Sequence, residues 1–461
     1  MNRFKQVWRN LRSSFWFMPS MMVLASIALA AILIEVDTVV SERWLTQWPR
    51  IFGSGADGAR GMMSTIAGSM MTVVGVTFSM VLMVLAMASS QYTSRILRNF
   101  IRSRVTQVVL GIFAGIFTYC LIVLRSIHSG NEVEFVPDLA VAFGFVLAVG
   151  GVGVLIFFIH HIASSIQASN IIASVADETI AAIDRLFPND LAEVVQDSDQ
   201  PPVYEPAVQQ WQAVMANKSG YVQSVDTSTL VRLARESNTR VRMKHGVGDF
   251  VVQNTELATL ALDQPVDEAM ILSLQSTFTI RRHRTVDQDV AFGIRQIVDI
   301  ALKALSPGVN DITTAVMCVD YLTAILARIA PREIPSLRHY EECELRLIAK
   351  GPSFESLLAE SFDQIRRNAK GNVAITLRML SAIQTVASLT VSPRRRHALD
   401  EHLKWIAQSV DRSLELPHDR ARVDKRLTRV RQSLETGAAS GEVQGLEDPC
   451  GDNVSVGISW N

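Results

Sequence analysis

Charge is almost absent from four stretches of this 461-residue sequence, and the rest of the chain is arranged around them. Ser13 to Ile34, Gly61 to Ser94, Val105 to Leu124 and Leu139 to Ile159 contain no Asp, Glu, Lys or Arg. Each is long enough for the roughly 20 residues that cross a bilayer's hydrocarbon core. Four membrane spans are therefore expected, at 14–34, 62–88, 105–124 and 139–159. Proton pumps and ion-coupled carriers usually hold an ionisable residue inside the membrane, so its absence from every span argues against them. Cysteine is also scarce: Cys120, Cys318, Cys343 and Cys450 lie far apart, without the paired spacing of a zinc site or a secreted disulfide scaffold. No GxxxxGK[ST], GxSxG or HExxH occurs, so no catalytic residue, metal ligand or cofactor is assigned, and an enzyme is not expected. A formal net charge of -1 gives no support for nucleic-acid binding.

What is present sets an orientation. Phe4, Val7, Trp8, Leu11 and Phe15 share one helical face ringed by Arg3, Lys5, Arg9 and Arg12, which suits a helix at the headgroup level. A basic start, an apolar run and Ala28-Leu29-Ala30 also have the shape of a signal peptide, but the apolar part is long for one. The loop after the second span carries Arg95, Arg98, Arg102 and Arg104 with no acid, whereas Glu132, Glu134 and Asp138 follow the third. The positive-inside rule then puts both termini in the cytoplasm, as an even number of spans requires. The expected location is a bacterial inner membrane. In the second span Ser64, Gly68 and Thr72 recur every fourth residue, and Gly75 with Ser79 repeats the spacing. Small faces of this kind pack helices or line a path, and Gly111 with Gly115 makes a GxxxG in the third span. The fourth helix is expected to run unbroken from Asp138 to Phe187, about 75 Å at 1.5 Å per residue. His160 and His161 are adjacent, about 100° apart on a helix, and so cannot chelate one metal as an i, i+4 pair does.

The length exceeds the roughly 250–300 residues of a single core, so a second unit is expected. Pro188 to Pro206 reads as a connector, and 207–262 as a small α+β insert. Its strands are expected at Gly220–Val225, Arg240–Lys244, Phe250–Val252 and Leu257–Leu260, with a capped helix at Thr227–Glu236. Gly248-Asp249-Phe250-Val251-Val252 resembles the turn of biotinyl and lipoyl carrier domains, but the carrier lysine would follow that turn and Lys244 precedes it, so a structural hairpin is expected. From 263 to 435 the pattern is helical, with helices at Val266–Ser276, Asp287–Leu305, Asp311–Ile329, Ser336–Ala349, Phe354–Asn368, Val373–Leu389, Pro393–Leu414 and His418–Glu435. Residues 436–461 are polar and expected to be disordered. The fold class is thus mainly α: a four-helix transmembrane unit followed by a cytoplasmic α-helical domain with a small α+β insert.

Three constellations remain as candidates. Ser64, Gly68, Thr72, Gly75 and Ser79 are candidate pore or helix-packing residues. Arg95, Arg98 and Arg102, with Ile96, Leu97, Phe100 and Ile101 on the apolar side, form either a basic face for anionic lipid headgroups, at about 1 kcal/mol per basic residue, or a simple topological anchor. Arg284, Gln288 and Asp289, with Ser306, Asn310 and Asp311, are candidates for an anion or ligand. The first three read first as an ion-pair network and only second as a ligand site, and Ser306 to Asp311 reads first as a tight helical corner with a cap.

Several of these stretches also carry a resemblance: Leu11 to Trp16, Val76 to Ser79, Ala88 to Tyr92, Arg95 to Phe100, Arg284-Thr285 with Gln288-Asp289, and Ala304 to Asp311. Together they resemble a bacterial family of predicted membrane proteins catalogued as a domain of unknown function. That resemblance implies a four-span inner-membrane protein with a large cytoplasmic region, and implies no activity or catalytic residue. The leading expectation is a homo-oligomer, in contact with membrane lipids, that forms or gates a passage for ions or small solutes under control of its cytoplasmic domain. The alternative is a membrane-tethered signalling or scaffold protein.

Overall fold

The computed structural model describes residues 16–39, 55–91, 104–128, 135–165, 167–187, 211–261, 267–341 and 344–438. The chain divides into two compact units, Met1–Asn170 and Ile171–Asn461. The amino-terminal amphipathic face, the Arg95 to Arg102 segment, the 188–206 connector and all but the first residues of the polar tail lie outside the described residues.

The first unit is built on α1 (Phe17–Val39), α2 (Ala56–Gln91), α3 (Arg104–Ser126) and α4 (Asp138–Ser165). The expected spans 62–88, 105–124 and 139–159 fall inside α2, α3 and α4, the first is matched by α1 from Phe17 onward, and each helix extends beyond its uncharged window at one end or both. The extra turns carry charge at their ends, as Glu35 and Asp37 do in α1. α3 is the central helix, packing on the other three. Half of its apolar window is buried, against 6% for α1. Its GxxxG explains the intimacy with α1: a Cβ on Gly111 would stand 2.6 Å from Met22 Sδ, and one on Gly115 would stand 2.5 Å from Ser26 Oγ. Small residues remove the side-chain layer that keeps helix axes apart. The end of α1 meets the start of α4, where the Asp37 carboxylate accepts from the Leu139 amide at 3.2 Å and the Ala140 amide at 3.0 Å. Tyr119 Oη donates to Ala140 O at 2.7 Å and Arg60 to Ile127 O at 2.8 Å, fastening the same end of the bundle.

The expected continuous fourth helix is broken. α4 stops at Ser165, and α5 (Ala168–Leu186) begins three residues later. The run Ser164, Ser165, Gln167, Ser169, Asn170 supplies side chains that compete for the backbone. Ser165 Oγ donates to His161 O at 2.7 Å, and Asn170 Nδ2 reaches back to Ser164 O at 2.7 Å.

In the second unit, a five-stranded sheet has the order β1-β5-β3-β8-β7, and a three-stranded sheet the order β4-β2-β6. The strands are β1 (Trp211–Met215), β2 (Gly220–Val225), β3 (Arg240–Met243), β4 (Phe250–Val251), β5 (Glu256–Ala261), β6 (Phe278–Arg281), β7 (Arg338–Glu341) and β8 (Glu344–Ile348). Four of these, with α6 (Thr227–Glu236), stand where expected. Two findings correct the expectation. The segment Ser336 to Ala349 holds the β7–β8 hairpin rather than a helix, and the sheets therefore recruit strands from well outside 207–262. β8 lies parallel to β3, with Val241 opposite Leu347, and both side chains are fully buried. A pairing across more than a hundred residues leaves no local periodic signal.

The helical part follows: α7 (Glu268–Thr277), α8 (Val290–Ala304), α9 (Ile312–Ile329), α10 (Phe354–Asn368), α11 (Val373–Ser388), α12 (Pro393–Ser413) and α13 (Pro417–Ala438). α9 is a fifth helix long and apolar enough to cross a membrane, beyond the four counted in the sequence. Its apolarity has another use here. Val319, Leu322, Ile325, Leu326 and Ile329 are fully buried, while Asp320 is ion-paired to Arg378 and Arg328 to Asp184. The buried Arg395 closes its carboxyl end, donating to the carbonyls of Ile329, Ala330 and Arg332 at 2.8–3.2 Å. α5 crosses α8 so closely that a Cβ on Gly293 would meet Thr179 Oγ1 at 2.0 Å.

Candidate functional sites

The small-residue face of α2 points away from its own bundle. Ala59, Met63, Ala67, Met70 and Thr77, spaced three, four or seven residues apart, are buried. Ser64, Gly68, Thr72, Gly75 and Ser79 occupy the other side and are exposed, and a Cβ on Gly68 or Gly75 would meet nothing within 4 Å. Three hydroxyls on this helix serve its own carbonyls: Thr65 Oγ1 donates to Gly61 O at 2.7 Å, Ser69 Oγ to Thr65 O at 2.8 Å and Thr72 Oγ1 to Gly68 O at 3.0 Å. Such a face is tolerable in lipid and equally tolerable against water.

Arg284 and Asp289 form a two-pronged ion pair, with Nε to Oδ2 at 2.8 Å and Nη2 to Oδ1 at 3.0 Å. Asp289 is 5% exposed and also caps α8, accepting from the Phe292 amide at 3.0 Å. The guanidinium lies 5.0 Å from the Phe292 ring centroid. Gln288 Oε1 accepts from the Val225 amide at 3.0 Å, tying the same loop to β2. The turn after β3 seals the pair, because a Cβ on Gly248, at φ +91°, would sit 2.6 Å from Asp289 Oδ2. Its neighbour Asp249 accepts from the Gly246 amide at 3.0 Å and lies 2.9 Å from Lys350 Nζ. Burial pushes the Asp249 carboxyl up, but Lys350 and the Gly246 amide outweigh it and hold the group below the usual range. The Gly248 to Val252 segment is packed on this network but is not the expected hairpin: Phe250–Val251 pairs with β2, while β3 and β5 on either side of it lie in the other sheet.

The corner from Ser306 to Asp311 is likewise satisfied by its own chain. Ser306 Oγ donates to Lys303 O at 2.7 Å, Asn310 takes φ +49°, and its amide donates to Ser306 O at 2.9 Å. Asp311 caps α9, accepting from the Thr314 amide at 3.0 Å and from Thr314 Oγ1 at 2.6 Å. The Thr314 hydroxyl, then its amide, lower the Asp311 carboxyl below its ordinary value. Asp289 and Ser306 stand at opposite ends of the 15-residue α8, roughly 22 Å apart along its axis. The six candidate ligand residues thus form two separate structural joints.

A different place in the second unit gathers unspent charge. α10 and α12 run parallel, as shown by Arg394 beside Glu355 at 2.9 Å, His402 beside Asp363 at 3.8 Å, and a Cβ on Gly371 lying 3.4 Å from Ser413 O. Their carboxyl ends flank a half-open cavity of about 430 Å³, lined by Asp363, Arg366 and Arg367 of the first helix, Lys370 just beyond it, and Trp405 and Arg412 of the second. No local motif marks it. The only signal in the sequence is basic residues in the last turns of two helices, and only the parallel packing brings them together.

The family described as "Predicted membrane protein (DUF2254)" matches residues 12–385. The chain belongs to that family. It is 32% identical over 433 residues to uncharacterised proteins of Mycobacterium tuberculosis and Mycobacterium bovis, covering 92% of this chain and 81% of each relative. No solved structure matches it. As a DUF2254 member with apolar helices of this length, the chain is a membrane protein. The matched region takes in all four helices of the first unit, both sheets and α8 to α10, and stops within α11.

Proposed function

We propose that this DUF2254 protein sits in the bacterial inner membrane with both termini in the cytoplasm, and that copies associate through α2 to form a passage for ions or small solutes. The observation that carries this reading is the outward small-residue face, with nothing within 4 Å of Gly68 or Gly75. Within one chain α3 packs on the other three helices, so in this reading the water-filled path runs between copies. A path lined by Ser64, Gly68, Thr72, Gly75 and Ser79 would be narrow, uncharged and hydroxyl-bearing, which suits permeation gated by wetting. The second unit, on the cytoplasmic side in this orientation, regulates the passage, and the Arg95 to Arg102 segment anchors the inner headgroup layer. The reading gives the chain no catalytic step.

The test is disulfide cross-linking of Gly68→Cys and Gly75→Cys variants in native membranes, paired with flux from vesicles reconstituted with the unsubstituted protein. Symmetric cross-links and conductance abolished by Gly68→Leu are expected. Absence of both, across voltage, tension and pH, would leave the membrane-tethered scaffold. In that case replacing all four spans with unrelated ones would preserve function.

A further inference from the structure

Four cations line the α10–α12 cavity, and little opposes them. Arg366 and Arg367 approach Asp363 only at 3.5 and 3.6 Å, beyond good hydrogen-bond distance. Among the described residues the side chains of Lys370 and Arg412 have no ion pair or hydrogen bond, though both line the space. Cations in a helix's last turn have an ordinary purpose, since each carboxyl end carries about half a negative charge. Magnitude decides whether that purpose exhausts them. Two helix ends and one carboxylate offset roughly two of the four charges, leaving about two positive charges facing the cavity.

Unmet hydrogen-bonding capacity lies in the same place. Asp363 Oδ1, Arg366 Nε and His402 Nε2 are each buried with no hydrogen-bond partner, and His402 is 5% exposed. These atoms face one another, Asp363 Oδ1 lying 3.5 Å from Arg366 Nη2 and 3.8 Å from His402 Nε2, so they form a loose polar cluster at the back of the cavity and leave its four cations facing the open space. Burial also lowers the His402 pKa, more than the Ala398 carbonyl and Asp363 raise it, so its ring adds no further charge near neutral pH.

The remaining wall sets the ligand's shape. Trp405 offers an indole at 37% exposure, held by a tilted contact of 4.6 Å with the His402 ring. The volume is within the roughly 300–1,000 Å³ of small-molecule sites and far larger than one phosphate requires. Guanidinium forks recognise phosphate oxygens in pairs, and an aromatic face stacks on a planar ring. We infer that this cavity binds a small phosphate-bearing ligand with a planar ring, the chemistry of a nucleotide, with its phosphates on Arg366, Arg367, Lys370 and Arg412 and its ring on Trp405.

The test is calorimetric titration of the full-length protein in detergent with AMP, ATP, pyrophosphate and glycerol phosphate. It reads binding alone, so its outcome is independent of any flux. AMP and ATP are expected to bind, with affinity falling about tenfold for each cation removed in Lys370→Gln and Arg412→Gln. Both positions are exposed, and unchanged thermal unfolding will show that the fold persists. If the double variant is unstable, Arg412→Gln alone decides. Trp405→Leu is expected to weaken AMP while leaving pyrophosphate unaffected. No heat with any probe would overturn the inference, as would unchanged affinity in the variants. Glycerol phosphate binding as tightly as AMP would assign the cavity to a lipid headgroup and overturn the nucleotide.

Discussion

The glycines of α3, four residues apart, and those of α2, seven apart, each line one face of their helix and have opposite fates. Gly111 and Gly115 are pressed against Met22 and Ser26 of α1, whereas Gly68 and Gly75 face empty space. A small-residue stripe therefore states that something comes close, without saying whether it is the chain's own neighbour or something outside. The second unit adds two occupied cases, Gly293 against Thr179 and Gly248 against the Arg284–Asp289 pair. Where the contact is internal, a side chain at the glycine must damage the fold. Where the face is open, the same change must leave the fold and remove only an association.

The sharpest way to break this contrast is the double substitution Gly111→Leu with Gly115→Leu. It forces two side chains into the α1–α3 contact and is expected to cost about 3 kcal/mol or more. Reversible unfolding in detergent micelles would measure it, and near-neutral behaviour would show that α1 does not pack there. Asp289→Asn leaves Arg284 half-paired in a site only 4% exposed at the carboxylate, for an expected loss of about 3 kcal/mol in the second unit's transition. Gly248→Ala places a methyl at positive φ against that pair, and a loss of about 2 kcal/mol is expected by thermal scanning of the full-length protein.

Asp249 refines the same joint through pH. Its folded-state pKa is lowered, so its contribution is complete above the unfolded value of about 3.9 and is lost as pH falls through the folded value. Because the group is about a third exposed, Asp249→Asn is expected to cost under about 1 kcal/mol at pH 7, and to flatten the acid limb of the stability profile below about pH 4. The smallest effect on stability is expected for Gly68→Leu with Gly75→Leu, within about 0.5 kcal/mol. With Thr72→Cys as the reporter on the same face, that variant should nevertheless lose cross-linking through α2. A large stability loss instead would mean that the stripe is an internal contact.

Local signals carried far in this chain. The four uncharged windows, the α6 helix with a cap at its start, the cap at Asp311, and α10 at Phe354–Asn368 were all legible, because hydrophobic period and capping act within a few residues. Legibility failed where a competing local bond or a distant partner decided. Ser164 to Asn170 breaks a run that hydropathy alone would continue, since serine and asparagine side chains divert the backbone. Arg338 to Ile348 becomes a hairpin because β3 offers a parallel edge to β8, a partner more than a hundred residues away.

By itself, then, the sequence determined that this is a membrane protein of mainly helical class, and where most of its helices lie. These follow from the transfer of apolar side chains out of water and from hydrogen bonds only a few residues long. The tertiary structure alone decided which small-residue face is filled, which apolar helix is a core element of the second unit, that Arg284 is already paired with Asp289, and that Arg366, Arg367, Lys370 and Arg412 converge. Those outcomes depend on which helices lie side by side and in which direction, and packing between distant segments is written in no single stretch of the chain.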